Sequence, residues 1–221
     1  MDLVLILIII VIPLLAQLSI NINYNTYKGI NNNNKMKGYD IARKILDANG
    51  LTEVKVKKVS GNLSDHYDPS LKVVSLSDSI YDGTSIASTS VAAHECGHAI
   101  QDKDNYSFMQ IRSAIFPIVN IATSLSYWII LFGFIFEIVG LVYIGIIFTC
   151  IGLLFEIITL PVEFNASSRA KQQLIQYNLI TSEEEPGVKK VLGAAAMTYV
   201  AGVIASSVQI LRLLLIAQDR R

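Results

Sequence analysis

From Ala114 to Leu160 the chain runs for 47 residues with only two charges, Glu137 and Glu156. Roughly 18 or more apolar residues are enough to cross a bilayer, and this run is more than twice as long. Within lipid each backbone N–H and C=O must find its partner inside the protein, so such a run must be helical. Division near Glu137 and Gly140 predicts two helices of about 20 residues with a tight turn, a transmembrane hairpin over residues 114–160. Pro117 is tolerable near the start of the first of them. A fully buried hairpin in a soluble protein would need a larger globular shell than 221 residues supply.

Two further runs follow the same logic. Leu3 to Ile20 carries no charge and predicts a span. A cleaved signal peptide would have a positive n-region and a small-residue cleavage site, and only Asp2 precedes this run. Residues 1–22 are therefore expected to form an uncleaved anchor. Residues 191–221 hold a third run, "VLGAAAMTYVAGVIASSVQILRLLLIAQ", interrupted by Gln209 and Arg212. Its small residues permit close helix packing and Arg212 can snorkel, which makes it a fourth span.

What remains is polar. An Asn-rich linker at residues 23–37, "NINYNTYKGINNNNKMKG" with its flanks, is expected to be mobile. In residues 38–113, "YDIARKILDANG" predicts a short helix with Asp40 at its start and Asn49-Gly50 at its end. "EVKVKKV" and "LKVVSLS" are strand candidates, and "SGNLSDHYDPS" between them has turn chemistry, so a hairpin or small sheet is expected. A second helix is expected from Thr84 to Gln101. Residues 161–190 form a further polar segment beyond the hairpin, with Pro161 suited to the first turn of a new helix.

The two polar segments share one side of the membrane, because a two-helix hairpin separates them. Together they hold 15 of the 18 Lys and Arg residues, Arg212, Arg220 and Arg221 being the rest. The positive-inside rule then places them in the cytoplasm, in the cell membrane of the host. Net charge is zero and no basic patch is interleaved with aromatics, so nucleic acid is not an expected partner. The two cysteines, Cys96 and Cys150, are too differently placed to suggest a disulfide.

The Thr84–Gln101 helix carries "VAAHECGHAI", residues 91–100. Four residues make slightly more than one helical turn, so His94 and His98 lie on one face with Cβ atoms roughly 5–6 Å apart. Both imidazoles can reach one cation. Glu95 is one step round the helix, within reach of a metal-bound water, and Cys96 is on the opposite face. Gly97 leaves room for another element to approach. The stretch fits H-E-x-x-H, in which the glutamate is the general base of a metallopeptidase. A catalytic zinc takes three protein ligands and leaves one position open. His66 and Glu163 are the candidates for the third, and topology favours Glu163, which follows the hairpin's return to the same side. Glu156, costly in lipid, should face the helix bundle or the site and is the reserve ligand.

The run "DHYDPS…LSDSIYDGTSIASTSVAAHECGHAIQ", the membrane hairpin, "LPVEFNASSRA" and "AAAMTYVAG" together resemble the YugP-like neutral zinc metallopeptidases from the first span to the last. More distantly the chain resembles the HtpX-type membrane gluzincins, whose third ligand is the Glu of an E-F-x-A-D segment. That resemblance implies Glu163 as ligand, one Zn2+, and a small α+β zincin-like cytoplasmic domain on a mainly α integral membrane protein of about four transmembrane helices. Ser167 stands where the HtpX-type motif has Asp, so orientation of the histidines is expected from another group.

The expected activity is metal-assisted peptide hydrolysis, with His94, His98 and Glu163 holding zinc and Glu95 moving the proton.

 The substrate is expected to be a peptide or protein, associated with the membrane because the site lies close to the bilayer. A strand edge in residues 53–77 could hold it in extended form. His66 and Tyr199 are candidates for stabilising the tetrahedral intermediate, though a histidine beside a turn and a tyrosine in an apolar helix are more often structural. The alternatives are a structural zinc site in a scaffold or adaptor, which four closed ligands would indicate, and a transporter component, for which Glu137 and Glu156 are a poor ion pathway.

Overall fold

The computed structural model describes residues 2–61 and 64–219. Among these residues the chain is mainly helical, with four helices long and apolar enough to cross a membrane and one three-stranded sheet. The long helices are α1 (Asp2–Lys28), α5 (Ser107–Ile135), α6 (Val139–Gln176) and α7 (Glu185–Asp219). The short elements are α2 (Gly38–Ala48), β1 (Lys55–Val59), β2 (His66–Asp68), β3 (Val73–Ser77), α3 (Asp78–Tyr81) and α4 (Ile86–Lys103). The Cα positions cluster into two compact units, one of Met1–Gln17, Gln110–Pro161 and Met197–Arg221, the other of Leu18–Met109 and Val162–Ala196.

In the first unit, the α5–α6 hairpin turns at residues 136–138. Glu137, not Gly140, takes the left-handed conformation, with φ 58°. The Ile138 N–H reaches back to the Gly133 carbonyl at 2.9 Å, closing the helix end as glycine-capped helices do. Glycines bring the two helices together. A Cβ at Gly145 would lie 2.3 Å from Ile130 Cγ1, and Ser126 Oγ meets Thr149 Oγ1 at 2.7 Å. Small residues and hydroxyl pairs at such contacts let apolar helices associate where no hydrophobic drive exists. Glu156 faces the bundle, its Oε1 accepting from Ser206 Oγ of α7 at 2.9 Å.

Pro161 does not start a new helix. It lies inside α6, which continues from the apolar run to Gln176. The ring withholds one N–H from the helix ladder, but the flanking turns carry the helix through. Pro117 is likewise interior, because α5 begins at Ser107 rather than near residue 114.

The second unit is built on the apolar face of α2, where Ile41, Ala42, Ile45 and Leu46 are all fully buried. That spacing is the inward stripe of an amphipathic helix. Lys37 N–H donates to Asp40 Oδ2 at 3.3 Å at its start, and Gly50, with φ 71°, follows its end. The α2 face packs on α4 and on a core that also takes in Val74, Leu76, Ala170, Leu174, Val188 and Leu192. The strand order is β1-β3-β2, with β1 parallel and β2 antiparallel to β3. Every residue of β3 is buried, as a central strand covered on both faces requires. The expected turn around His66 is itself a strand. His66 to Asp68 pair with Ser75 to Val73, which the turn residues around them concealed.

The Asn-rich segment is ordered, contrary to expectation, and α1 continues into it as far as Lys28. Asn32 is 2% exposed and its side chain is fully used. Its Oδ1 accepts from Met36 N–H at 2.9 Å, and its Nδ2 donates to Met36 O at 2.8 Å and to Thr89 Oγ1 at 3.0 Å. The Asn33 N–H donates to Glu184 Oε1 at 2.8 Å, and Ile86 N–H to Ile30 O at 2.9 Å. The bonds with Thr89, Glu184 and Ile86 join the segment to distant parts of the unit, so its order is a tertiary effect.

Candidate metal centre

Helix α4 begins at Ser85, whose Oγ accepts from Ser88 N–H at 3.1 Å. Two turns on, His94 and His98 project from one face, their rings edge to face with centroids 4.8 Å apart. Opposite them stands Glu163 of α6, 2% exposed. Its Oε2 lies 3.3 Å from His94 Nε2 and 3.6 Å from His98 Nε2. One potential ligand atom from each of the three residues falls within 4.8 Å of the other two.

The approach of the two helices depends on Gly97. A Cβ there would lie 2.5 Å from the Ala166 carbonyl oxygen and 3.1 Å from its carbon. No side chain fits that gap, so glycine on the α4 surface sets how near α6 brings Glu163.

The imidazole orientations are fixed from behind. His98 Nδ1 donates to Gln101 Oε1 at 3.0 Å. The amide of Gln101, fully buried, is held the right way round by its own Nε2, which donates to Val162 O at 2.7 Å and to Asn165 Oδ1 at 3.0 Å. Asn165 Oδ1 also accepts from Arg169 Nε at 2.8 Å. A proton on His98 Nδ1 leaves Nε2 as a lone pair. His94 is arranged alike, its Nδ1 lying 3.2 Å from Ser167 Oγ. Ser167 thus occupies the place where the orienting group was expected to be missing, with a neutral hydroxyl instead of a carboxylate. Gln101 escaped the sequence analysis, and its signal was simple: it follows His98 by three residues and so shares its helix face.

These residues fit a zinc ion by the chemistry of the donors. Two imidazole lone pairs and a carboxylate converge in a buried space, and only a cation or added protons can satisfy all three. Cys96 takes no part. It is fully buried on the other face, its Sγ 3.6 Å from Ala42 O, and burial pushes its thiol far above the usual range. His66 also stands apart, exposed on β2 with Nδ1 2.8 Å from Ser64 O. Glu156 and Tyr199 belong to the other compact unit.

Glu95 adjoins the donors and is buried. Burial pushes its carboxyl up to about 7, His94 opposing the shift and the charges of Asp65 and Glu163 reinforcing it. A cation among the three donors would pull it back down.

The chain matches, over residues 2–218, the model of a family described as "Putative neutral zinc metallopeptidase". The chain belongs to this family. It is 44% identical over 198 residues to the protein named "Putative membrane protease YugP" of Bacillus subtilis (strain 168), across 90% of this chain and 88% of the relative. No solved structure matches it. Membership in a zinc metallopeptidase family accords with the donor set, and the relative's description as a membrane protease accords with the four apolar helices.

Proposed function

We propose that this protein is a membrane-embedded zinc endopeptidase, with His94, His98 and Glu163 as zinc ligands and Glu95 as general base. The observation that carries the reading is the convergence of three donor atoms within 4.8 Å, beside a buried glutamate, in a member of a zinc metallopeptidase family. Held by these three residues, a zinc ion would supply Lewis-acid polarisation of a carbonyl and lower the pKa of water. Glu95 accepts the proton of the attacking water and passes it to the leaving amine. Gln101 holds His98 in the tautomer that presents Nε2, and Ser167 steadies the His94 ring from the same side.

The small α+β unit carrying α4 is zincin-like in this reading. β2 is an edge strand, and the charges of Asp65 and His66 are felt at Glu95, so this edge is the natural place for an extended substrate to add as a further strand. A closed structural site would need a fourth ligand, and the donor group found among the described residues has three. With 15 of 18 Lys and Arg in the polar segments, this unit lies on the cytoplasmic side of the cell membrane.

The test is the zinc content and peptide-cleaving activity of detergent-purified wild type, Glu163→Ala and Glu95→Gln. About one zinc per chain is expected in wild type and Glu95→Gln, and much less in Glu163→Ala. Cleavage is expected in wild type alone. Zinc-free, well-folded wild type after supplementation, or full activity in Glu95→Gln, overturns the reading.

A further inference from the structure

Beyond the donor group, the same unit contains an open groove of about 200 Å³ between α6 and α7. Phe164, Ser167 and Lys171 line it from α6 and Lys189, Leu192 and Gly193 from α7. Spacings of three and four residues make each set one stripe along its helix. The two lysines share an end of the groove. Lys171 Nζ lies 2.6 Å from Glu185 Oε1, and Glu185 is one turn before Lys189 on α7. Lys171 is therefore neutralised by its neighbour. Among the described residues no acidic group is paired with Lys189, which leaves it as the groove's uncompensated cation.

Two features mark the groove as more than a surface crease. Ser167, in its wall, is the residue that touches His94 Nδ1, so the groove begins directly behind an imidazole of the donor group. A Cβ at Gly193 would meet nothing within 4 Å, so the absence of a side chain there keeps the groove open without serving any packing contact.

We propose that this groove seats the substrate peptide to one side of the scissile bond. An apolar residue lies against Phe164 and Leu192, and a carboxylate side chain pairs with Lys189. This rests on the peptidase reading above and extends it to a substrate class: peptides with an acidic residue beyond an apolar one. Leu192 and Lys189 are three residues apart, about 4.5 Å along α7. An extended peptide covers about 3.3 Å per residue, and its residues two apart share a face. The acidic residue should therefore stand roughly two positions beyond the apolar one beside Leu192.

The test uses full-length protein in detergent, loaded with zinc. Acetylated, amidated fluorescent peptides carry an apolar residue followed two positions later by Glu, Gln or Lys. Binding is read by anisotropy in Glu95→Gln, and cleavage in wild type by mass spectrometry. Glu peptides should bind about two- to fivefold more tightly than Gln peptides, the range of an exposed ion pair. Lys189→Glu should reverse the order of the Glu and Lys peptides. Gly193→Leu should weaken binding of all three while zinc content is unchanged. The proposal is overturned if both variants keep the wild-type preferences, even where cleavage proceeds. Lys189-dependent binding without cleavage by wild type would keep the groove and remove the peptidase reading. No binding and no cleavage of any peptide would overturn both.

Discussion

Gly97→Ala adds one methyl group and should cost the protein its metal. The new Cβ would sit 2.5 Å from the Ala166 carbonyl oxygen, whereas ordinary contacts begin at 3.4 Å. Reaching even 3.0 Å requires the helices to part by about 0.5 Å, and a relaxed contact requires about 1 Å. The obstructing atom is backbone, so no rotamer change relieves it. Alanine gains about 1 kcal/mol over glycine in helix propensity, while overpacking costs about 1–3 kcal/mol. The net effect on stability is therefore a loss of up to about 2 kcal/mol. The effect on the site is larger, because Glu163 lies three residues from Ala166 and retreats with it while His94 and His98 stay on α4. Zinc affinity should fall about 10-fold or more, as when the support of a metal site is disturbed. Competition with a chromogenic chelator measures this. Gly202→Ala is the control, since a Cβ there meets nothing within 4 Å. Wild-type zinc affinity in Gly97→Ala would refute the close approach of α4 and α6 as the determinant of the site.

Gln101→Leu removes the acceptor for His98 Nδ1 and the donor to Asn165 Oδ1 and Val162 O, so zinc affinity should drop about 10- to 100-fold in the same competition assay. Ser167→Ala should cost less than Gln101→Leu, because its bond to His94 is longer, at 3.2 Å, and His94 is the more exposed imidazole. Asn32→Ala deletes three side-chain bonds and leaves the half-buried Met36 N–H to find another partner, for a destabilisation of about 1–3 kcal/mol seen as a lower Tm in detergent. Cys96 should resist iodoacetamide at pH 8 in the folded protein and react once it is denatured, since burial holds its thiol far from ionising. Peptide mass mapping before and after denaturation checks this.

Composition and periodicity determined much of this molecule. Three apolar runs, one of them long enough for two helices, became four candidate spans, because the rule that backbone groups must pair within lipid acts on each segment alone. The stripe of Ile41, Ile45 and Leu46, and the four-residue separation of His94 and His98, are properties of a single helix and need no knowledge of its neighbours. Gly97 could be read as a place of close approach for the same reason. What approaches it could not. That α6 supplies Ala166 O, that its Glu163 then meets both imidazoles, and that Gln101 is locked by Asn165 and Val162 from some 60 residues away are facts of tertiary packing. The same holds for the Asn-rich segment. Its composition suits a loose linker, but each asparagine amide carries two donors and an acceptor, and packing brought partners such as Thr89 and Thr181 within reach. Local sequence settles which helices form, because their hydrogen bonds close within four residues. Only the folded chain decides which polar atoms meet across helices, since those partners are distant in sequence and a local pattern carries no record of them.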